Sequence, residues 1–326
     1  MHNRNLEKNK THNQYNKLTV KDSTYKQWVF RYTFLELEKD LGENGDITTN
    51  LLIDPEQKGE FILSSNSNGV IAGLEEIRYF LKDSSKDFKP HISDIEIKFY
   101  VKDGEEIQES QDILLLRGKL KDLFAIERVV VNFLSRMSGV ATLTYEIVKQ
   151  AKRVNPDILI TPTRKTLWGL LDKKAVTLGG GGTHRLNLSD AVLIKDNHLA
   201  VFKNKIDELI EKLSKQKIDS KFLEIEVSNK EQALIAAEKL NQLKETIETP
   251  CVIMFDNMDP HLIADTITEL KAKKMFDNIL FEASGGITKE NIVKYAHSNV
   301  DILSLGLLTN NAPSLDFSME VNNVYK

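Results

Sequence analysis

Residues 157–198, DILITPTRKTLWGLLDKKAVTLGGGGTHRLNLSDAVLIKDNH, hold two short apolar runs separated by a helical stretch and four glycines. The runs DILITP (157–162) and DAVLIK (190–195) have the length of buried strands. Four more follow: FLEIEV (222–227), CVIMFD (251–256), NILFEA (278–283) and VDILSL (300–305). Helical patterns such as NKEQALIAAEKLNQL (229–243) and ITKENIVKYAHS (287–298) lie between them. Strands alternating with helices imply parallel βαβ units. The pattern fits a (β/α) barrel, complete or open, better than a bundle or a sandwich. A doubly wound open sheet is the structural alternative. In a barrel the site lies at the carboxyl ends of the strands. Those ends carry Arg164, Lys165, Lys195, Glu224, Glu226, Asp256, Glu282, Ser284, Gly285, Ser304 and Gly306.

Upstream the patterning differs. WVFRYTFLELEKDL has helical spacing, and Gly45-Asp46 marks a turn. From 59 to 118, GEFILSSNSNGVIAG, DIEIKFYVKDGEEI and DILLLRGKL alternate apolar and polar residues, as strands of a small antiparallel sheet do. Asp103-Gly104 is the expected turn of a hairpin. Residues 121–152 predict two helices interrupted near Ser138-Gly139. The first 17 residues, MHNRNLEKNKTHNQYNK, are expected to be a disordered polar tail.

The composition narrows the function. A net charge of −4 over 326 residues argues against a general nucleic-acid binder. The apolar runs are too short to span a membrane, and the first residues lack a signal peptide's apolar segment. A cytoplasmic protein is expected. One cysteine, Cys251, excludes a disulfide framework within the chain and reads as core.

Nine of the 44 basic residues are arginines, and none follows Arg185. Lysine is this chain's default cation, so an arginine hints at a fork that lysine cannot supply. Arg164 and Arg185 flank the glycine run, and such forks pair with carboxylates or phosphates. His184, between the glycines and Arg185, is a candidate ligand contact; His198 reads equally as a ligand contact or as a capping or packing residue. Ser284-Gly285-Gly286 before a helix, and Gly306 after a strand, offer backbone N–H groups to phosphate. Glu226 and Asp256, beside those loops, point to Mg²⁺ shared with a polyphosphate. The competing reading of Glu226 is an ion pair with Lys195 or Lys165.

Taken jointly, TRKT, GGGGTHR, VLIKDNH, EIEV, FDNM, EASGGIT and DILSLGLLT resemble the quinolinate phosphoribosyltransferase family. GDITT, GVIAG and ERVVVNFLSRMSGVAT add to the match, which covers about residues 35 to 320 in order. The resemblance implies an N-terminal α/β sandwich domain (18–135, with 307–326 returning to it). A C-terminal open seven-stranded barrel of TIM-like type (136–306) follows. It implies joining of quinolinate to phosphoribosyl pyrophosphate with Mg²⁺, giving nicotinate mononucleotide, pyrophosphate and CO₂. It places Arg164, His184, Arg185 and Lys195 on quinolinate, with Arg128 reaching a neighbouring subunit's site in a homodimer or homohexamer. It places Lys165, Glu226, Asp256, Ser284, Gly285 and Gly306 on phosphoribosyl pyrophosphate, with Lys165, Glu226 and Asp256 catalytic. The chain departs from the family pattern at Pro162-Thr163, Leu167-Trp168 and Thr183. Those departures leave two alternatives: transfer to nicotinate or another pyridine acid without decarboxylation, or a silent subunit that binds phosphate ligands.

Overall fold

The computed structural model describes residues 2–83, 92 and 94–325. They divide into two compact units. A sandwich unit comprises residues 15–145, 168–180 and 312–326, and a barrel unit comprises 1–14, 146–167 and 181–311. The strands in chain order are β1 Lys58–Ser65, β2 Gly69–Val70, β3 Glu96–Phe99, β4 Glu106–Ile107, β5 Asp112–Lys119, β6 Leu159–Pro162, β7 Val192–Ile194, β8 Leu223–Val227, β9 Cys251–Asp256, β10 Ile279–Ser284, β11 Ile302–Leu305 and β12 Phe317–Val324.

In the sandwich unit, β12, β1, β5 and β3 form one antiparallel sheet in that order. Phe61 and Leu63 of β1 face the core, the alternation expected of a sheet wet on one side. The helix Ser23–Leu41 starts at Asp22, whose carboxylate accepts from the Thr24 and Tyr25 backbone N–H groups. It buries Tyr25, Val29, Thr33 and Leu37, one residue per turn. Asp103-Gly104 forms a turn, with Gly104 at φ 84. That turn does not close a simple hairpin: β4 after it pairs with β2, and β3 pairs with β5. Asp103 caps the earlier helix Leu74–Arg78 by accepting from the N–H groups of Gly73, Leu74 and Glu75.

The expected break near Ser138-Gly139 is absent. One helix runs unbroken over Leu120–Lys152. Gly139 serves close approach instead, since a Cβ there would lie 2.0 Å from the Pro313 carbonyl oxygen. Ser138 turns its hydroxyl to the Ala72 N–H at 3.0 Å.

In the barrel unit, six strands form one parallel sheet ordered β6-β11-β10-β9-β8-β7. Their ranges fall within two residues of the six apolar runs. All four residues of β6 and β11 and all six of β10 are buried, which is why these segments read as continuous apolar runs. β6 and β7 are the two edges, so the barrel is open. The described residues hold six strands in this sheet where the resemblance implies seven.

The N-terminal segment corrects the expectation of a disordered tail. His2–His12 is a helix, and it belongs to the barrel unit. It packs where the strands begin. Arg4 pairs with Asp301 just before β11 and lies 4.1 Å from the Phe276 ring centroid. Asn5 donates to Asp157 at 2.7 Å, ahead of β6. The helix is polar apart from the exposed Leu6, yet Lys8, Thr11 and His12 are buried. Polar partners hold it, so hydropathy gives no sign of it. Among the described residues no helix is long and apolar enough to cross a membrane. Cys251 is buried, and burial pushes its thiol up to about 12.

Candidate active site

A cavity of about 680 Å³ opens at the carboxyl ends of the barrel strands. Its wall includes ten of the eleven predicted site residues: Arg164, Lys165, His184, Arg185, Lys195, Glu226, Asp256, Ser284, Gly285 and Gly306. The eleventh, Arg128, lies in the sandwich unit on the helix Leu120–Lys152. It is exposed, 3.6 Å from Glu127.

Arg164 and Lys165 follow β6 and are exposed. The turn is fixed by the Thr163 hydroxyl, which accepts the Lys165 N–H at 3.2 Å, and by Thr309, which donates to the Lys165 carbonyl at 2.7 Å. Arg185 is buried and donates to the Ala191 carbonyl at 3.1 Å. Burial, then the nearby charge of Arg164, lowers its pKa. Two guanidiniums opposing each other across a cavity favour an anion between them.

Lys195 lies 3.3 Å from Glu226, so the ion pair weighed from sequence is formed. Burial raises the Glu226 carboxyl, with Lys195 pulling the other way and Asp256 adding to the rise. His198 resolves as a cap: its Nδ1 accepts the Lys195 N–H at 2.9 Å. Asp256, which ends β9, accepts from the Asn257 side chain at 3.0 Å. The two carboxylates stand near each other at neighbouring strand ends, and hard oxygen donors of this kind suit Mg²⁺.

The Ser284-Gly285-Gly286 loop has φ 86 and 62 at its glycines. A Cβ on Gly285 would meet Asn257 Oδ1 at 2.4 Å, so that close approach demands glycine. The following helix begins only at Ile292. The loop itself, not a helix terminus, therefore lines the cavity here, a correction to the sequence reading.

Beneath the mouth His184 adopts φ 53, rare for a residue with a side chain. Its Nδ1 accepts the Arg185 N–H at 2.8 Å. Its Nε2 lies 3.3 Å from Glu282 and 3.4 Å from Glu224. A second imidazole, His12, reaches Glu282 at 3.4 Å. Burial and the neighbouring Glu282 push Glu224 well up. Burial also works to raise Glu282, but His184 and His12 outweigh it and hold it low. Sequence reasoning missed His12 and Asn257. His12 lies far from every motif in the chain, and Asn257 carries no signal beyond following Asp256.

Comparison with known proteins agrees with this geometry. A family model described as the quinolinate phosphoribosyl transferase C-terminal domain matches residues 140–320. The corresponding N-terminal domain model matches residues 46–138. A probable nicotinate-nucleotide pyrophosphorylase (carboxylating) of Archaeoglobus fulgidus is 35% identical over 279 residues, covering 85% of this chain and 98% of that protein. A protein of the same name from Bacillus subtilis is 36% identical over 296 residues, covering 90% and 92%. The solved nicotinate-nucleotide pyrophosphorylase of Francisella tularensis superposes with a TM-score of 0.74 at 26% identity, covering 92% of this chain and 96% of that one.

Proposed function

The chain belongs to the quinolinate phosphoribosyltransferase family, and we propose that its barrel cavity transfers the phosphoribosyl group to quinolinate with decarboxylation. The products are nicotinate mononucleotide, pyrophosphate and CO₂, a step of NAD biosynthesis. One observation carries this reading. Four cationic side chains and the carboxylates of Glu226 and Asp256, with glycine loops at 285 and 306, line a single cavity at the strand ends.

Arg164, Arg185 and Lys195 bind the two acceptor carboxylates, with His184 bracing that wall. Orientation and electrostatics supply most of the catalysis. The pyridine nitrogen attacks the anomeric carbon as pyrophosphate leaves, and Glu226 and Asp256 support the positive charge that develops on the ribosyl ring. Lys165 offsets charge on the departing pyrophosphate. The same two carboxylates would hold Mg²⁺, which supplies Lewis-acid neutralisation of phosphate charge when bound. The 2-carboxylate then leaves as CO₂, its bonding pair staying on C2 beside the electron-withdrawing quaternary nitrogen, and C2 takes up a proton from water. Arg128 serves a neighbouring subunit's cavity in a homodimer or larger assembly.

The test is turnover of quinolinate with phosphoribosyl pyrophosphate and Mg²⁺, following nucleotide mass and CO₂. Nicotinate mononucleotide with one CO₂ per turnover is expected, lost on chelating the metal. Turnover of nicotinate without CO₂ would replace this reading. Binding of phosphoribosyl pyrophosphate with no turnover of any pyridine acid would make the chain a silent subunit.

A further inference from the structure

The glycine run and Thr183 are fitted to the N-terminal segment. The His12 carbonyl accepts two N–H groups, from Thr183 at 2.7 Å and from His184 at 3.0 Å. The Thr183 hydroxyl accepts the Gln14 N–H at 3.0 Å. A Cβ on Gly182 would lie 2.7 Å from the His12 carbonyl oxygen. Thus the last of the four glycines and Thr183 both answer to residues 12–14. The family models match only from residue 46 onward, so this segment lies outside them.

The His12 ring is fully buried inside the barrel unit. It stacks on Phe222 at 4.3 Å between centroids and meets the His184 ring edge-on at 4.9 Å. Its Nδ1 faces the Thr11 hydroxyl at 2.7 Å. That hydroxyl also lies 3.0 Å from the Glu7 and Lys8 carbonyls. Nε2 points at Glu282, and neither atom has a closer hydrogen-bond partner.

Protons in this dry cluster can be assigned. The backbone N–H of Arg185 makes His184 Nδ1 an acceptor, so Nε2 carries the hydrogen and donates to the carboxylates. The nitrogen and oxygen atoms of His12, His184, Glu224 and Glu282 lie within 4.8 Å of one another, as a metal cage would require. A His184 Nε2 that bears hydrogen has no lone pair for a metal. His12 Nε2 is the other ring nitrogen placed against Glu282, at 3.4 Å.

We propose that His12 is a positioning residue of the acceptor site: its carbonyl fixes the His184 backbone, and its imidazole Nε2 braces Glu282 so that His184 keeps its Nε2–H donor under Arg185. This rests on the assignment of Arg185 and His184 to the acceptor acid. The N-terminal helix is accordingly a working wall of the barrel.

The experiment compares His12→Ala and His12→Gln with the wild type, the glutamine keeping a donor near the Nε2 position. His12→Ala should raise the KM for quinolinate about ten- to a hundredfold, the scale on which outer partners that orient a histidine act. The KM for phosphoribosyl pyrophosphate should stay within about twofold, and His12→Gln should recover most of the loss. Free imidazole should partly restore His12→Ala. Unchanged kinetics overturn the proposal. So does an equal loss on both substrates with no recovery in His12→Gln, which would mark a purely structural part. Stoichiometric zinc in the purified wild type, lost from His12→Ala, overturns it in favour of a metal. A wild type inactive on quinolinate sinks the proposed function instead. The inference is then read from ¹⁵N shifts of the histidines without substrate. His184 should hold one Nε2–H tautomer in the wild type and His12→Gln, and lose it in His12→Ala; the same tautomer in all three overturns it.

Discussion

Glu76 in the sandwich unit and Glu282 in the barrel unit are both fully buried, and they are kept there in opposite ways. Glu76 accepts a hydrogen bond from the Tyr25 hydroxyl at 2.6 Å and has no ion pair among the described residues. Burial, with Asp103 adding to it, raises its carboxyl to about 8, so it folds as a neutral acid. Glu282 is buried as deeply, yet His184 and His12 keep it ionised. Burying a charge costs far more than burying a neutral acid. Where a carboxyl serves only packing, protonation is the cheaper state. At Glu282, beneath the cavity, the charge is retained, with imidazoles brought from segments 12 and 184. The contrast separates scaffold from site within one chain.

The largest effect should come from the barrel side. Arg185→Ala removes a buried fork facing the proposed acceptor carboxylates and should cost roughly 2–4 kcal/mol in kcat/KM for quinolinate. Glu76→Gln should leave kcat/KM within about twofold, because its charge plays no part in the site. Steady-state kinetics on both variants check the pair. Equal losses would erase the distinction between the two interiors.

The next effect is on stability and is confined to the sandwich side. A carboxyl whose folded pKa is raised holds its proton in the folded state after the unfolded chain has lost it. Stability therefore falls as pH rises from about 4.5 through about 8. The contribution is on the order of a few kcal/mol across that window. Glu76→Gln should gain over the wild type as pH rises, with melting temperatures compared at pH 5 and pH 9. Asp103, itself raised by burial, will leave a residual slope in the variant. Parallel pH curves for the two proteins would show that Glu76 is ionised where it lies.

The barrel was legible because each of its strands is buried on both faces, and apolar runs of that kind announce themselves. The strand ends were legible for the opposite reason: Arg164, Lys195, Glu226 and Asp256 interrupt apolar runs with charge. What escaped was held together by polar contacts over long sequence separations. The N-terminal helix carries lysines and asparagines, and its burial follows from partners such as Asp301 and Asp157, roughly 150 to 300 residues away. Gly139 reads as a helix break in any local window, because Pro313 that requires it is remote. Glu224 and Glu282 looked like members of the mouth. Their placement a layer lower shows only once His12 is seen opposite them.

Leu167-Trp168, where the family usually has threonine and proline, gives the smallest expected effect and the sharpest placement. Trp168 belongs to the sandwich unit, its ring 4.1 Å from Tyr32 and 5.7 Å from Phe133 between centroids. Its backbone N–H donates to Asp172 at 2.9 Å. The following Gly169 has φ 57 and packs against Trp28, where a Cβ would come within 3.0 Å of the indole. The departure at 168 thus builds an aromatic cluster, and its contacts are with scaffold. Trp168→Leu should cost about 1–2 kcal/mol of stability through lost aromatic packing. The ratio of kcat/KM for quinolinate to that for nicotinate should not move. If that ratio shifts while the melting temperature holds, residue 168 reads the acceptor acid, and the boundary between scaffold and site runs through this loop.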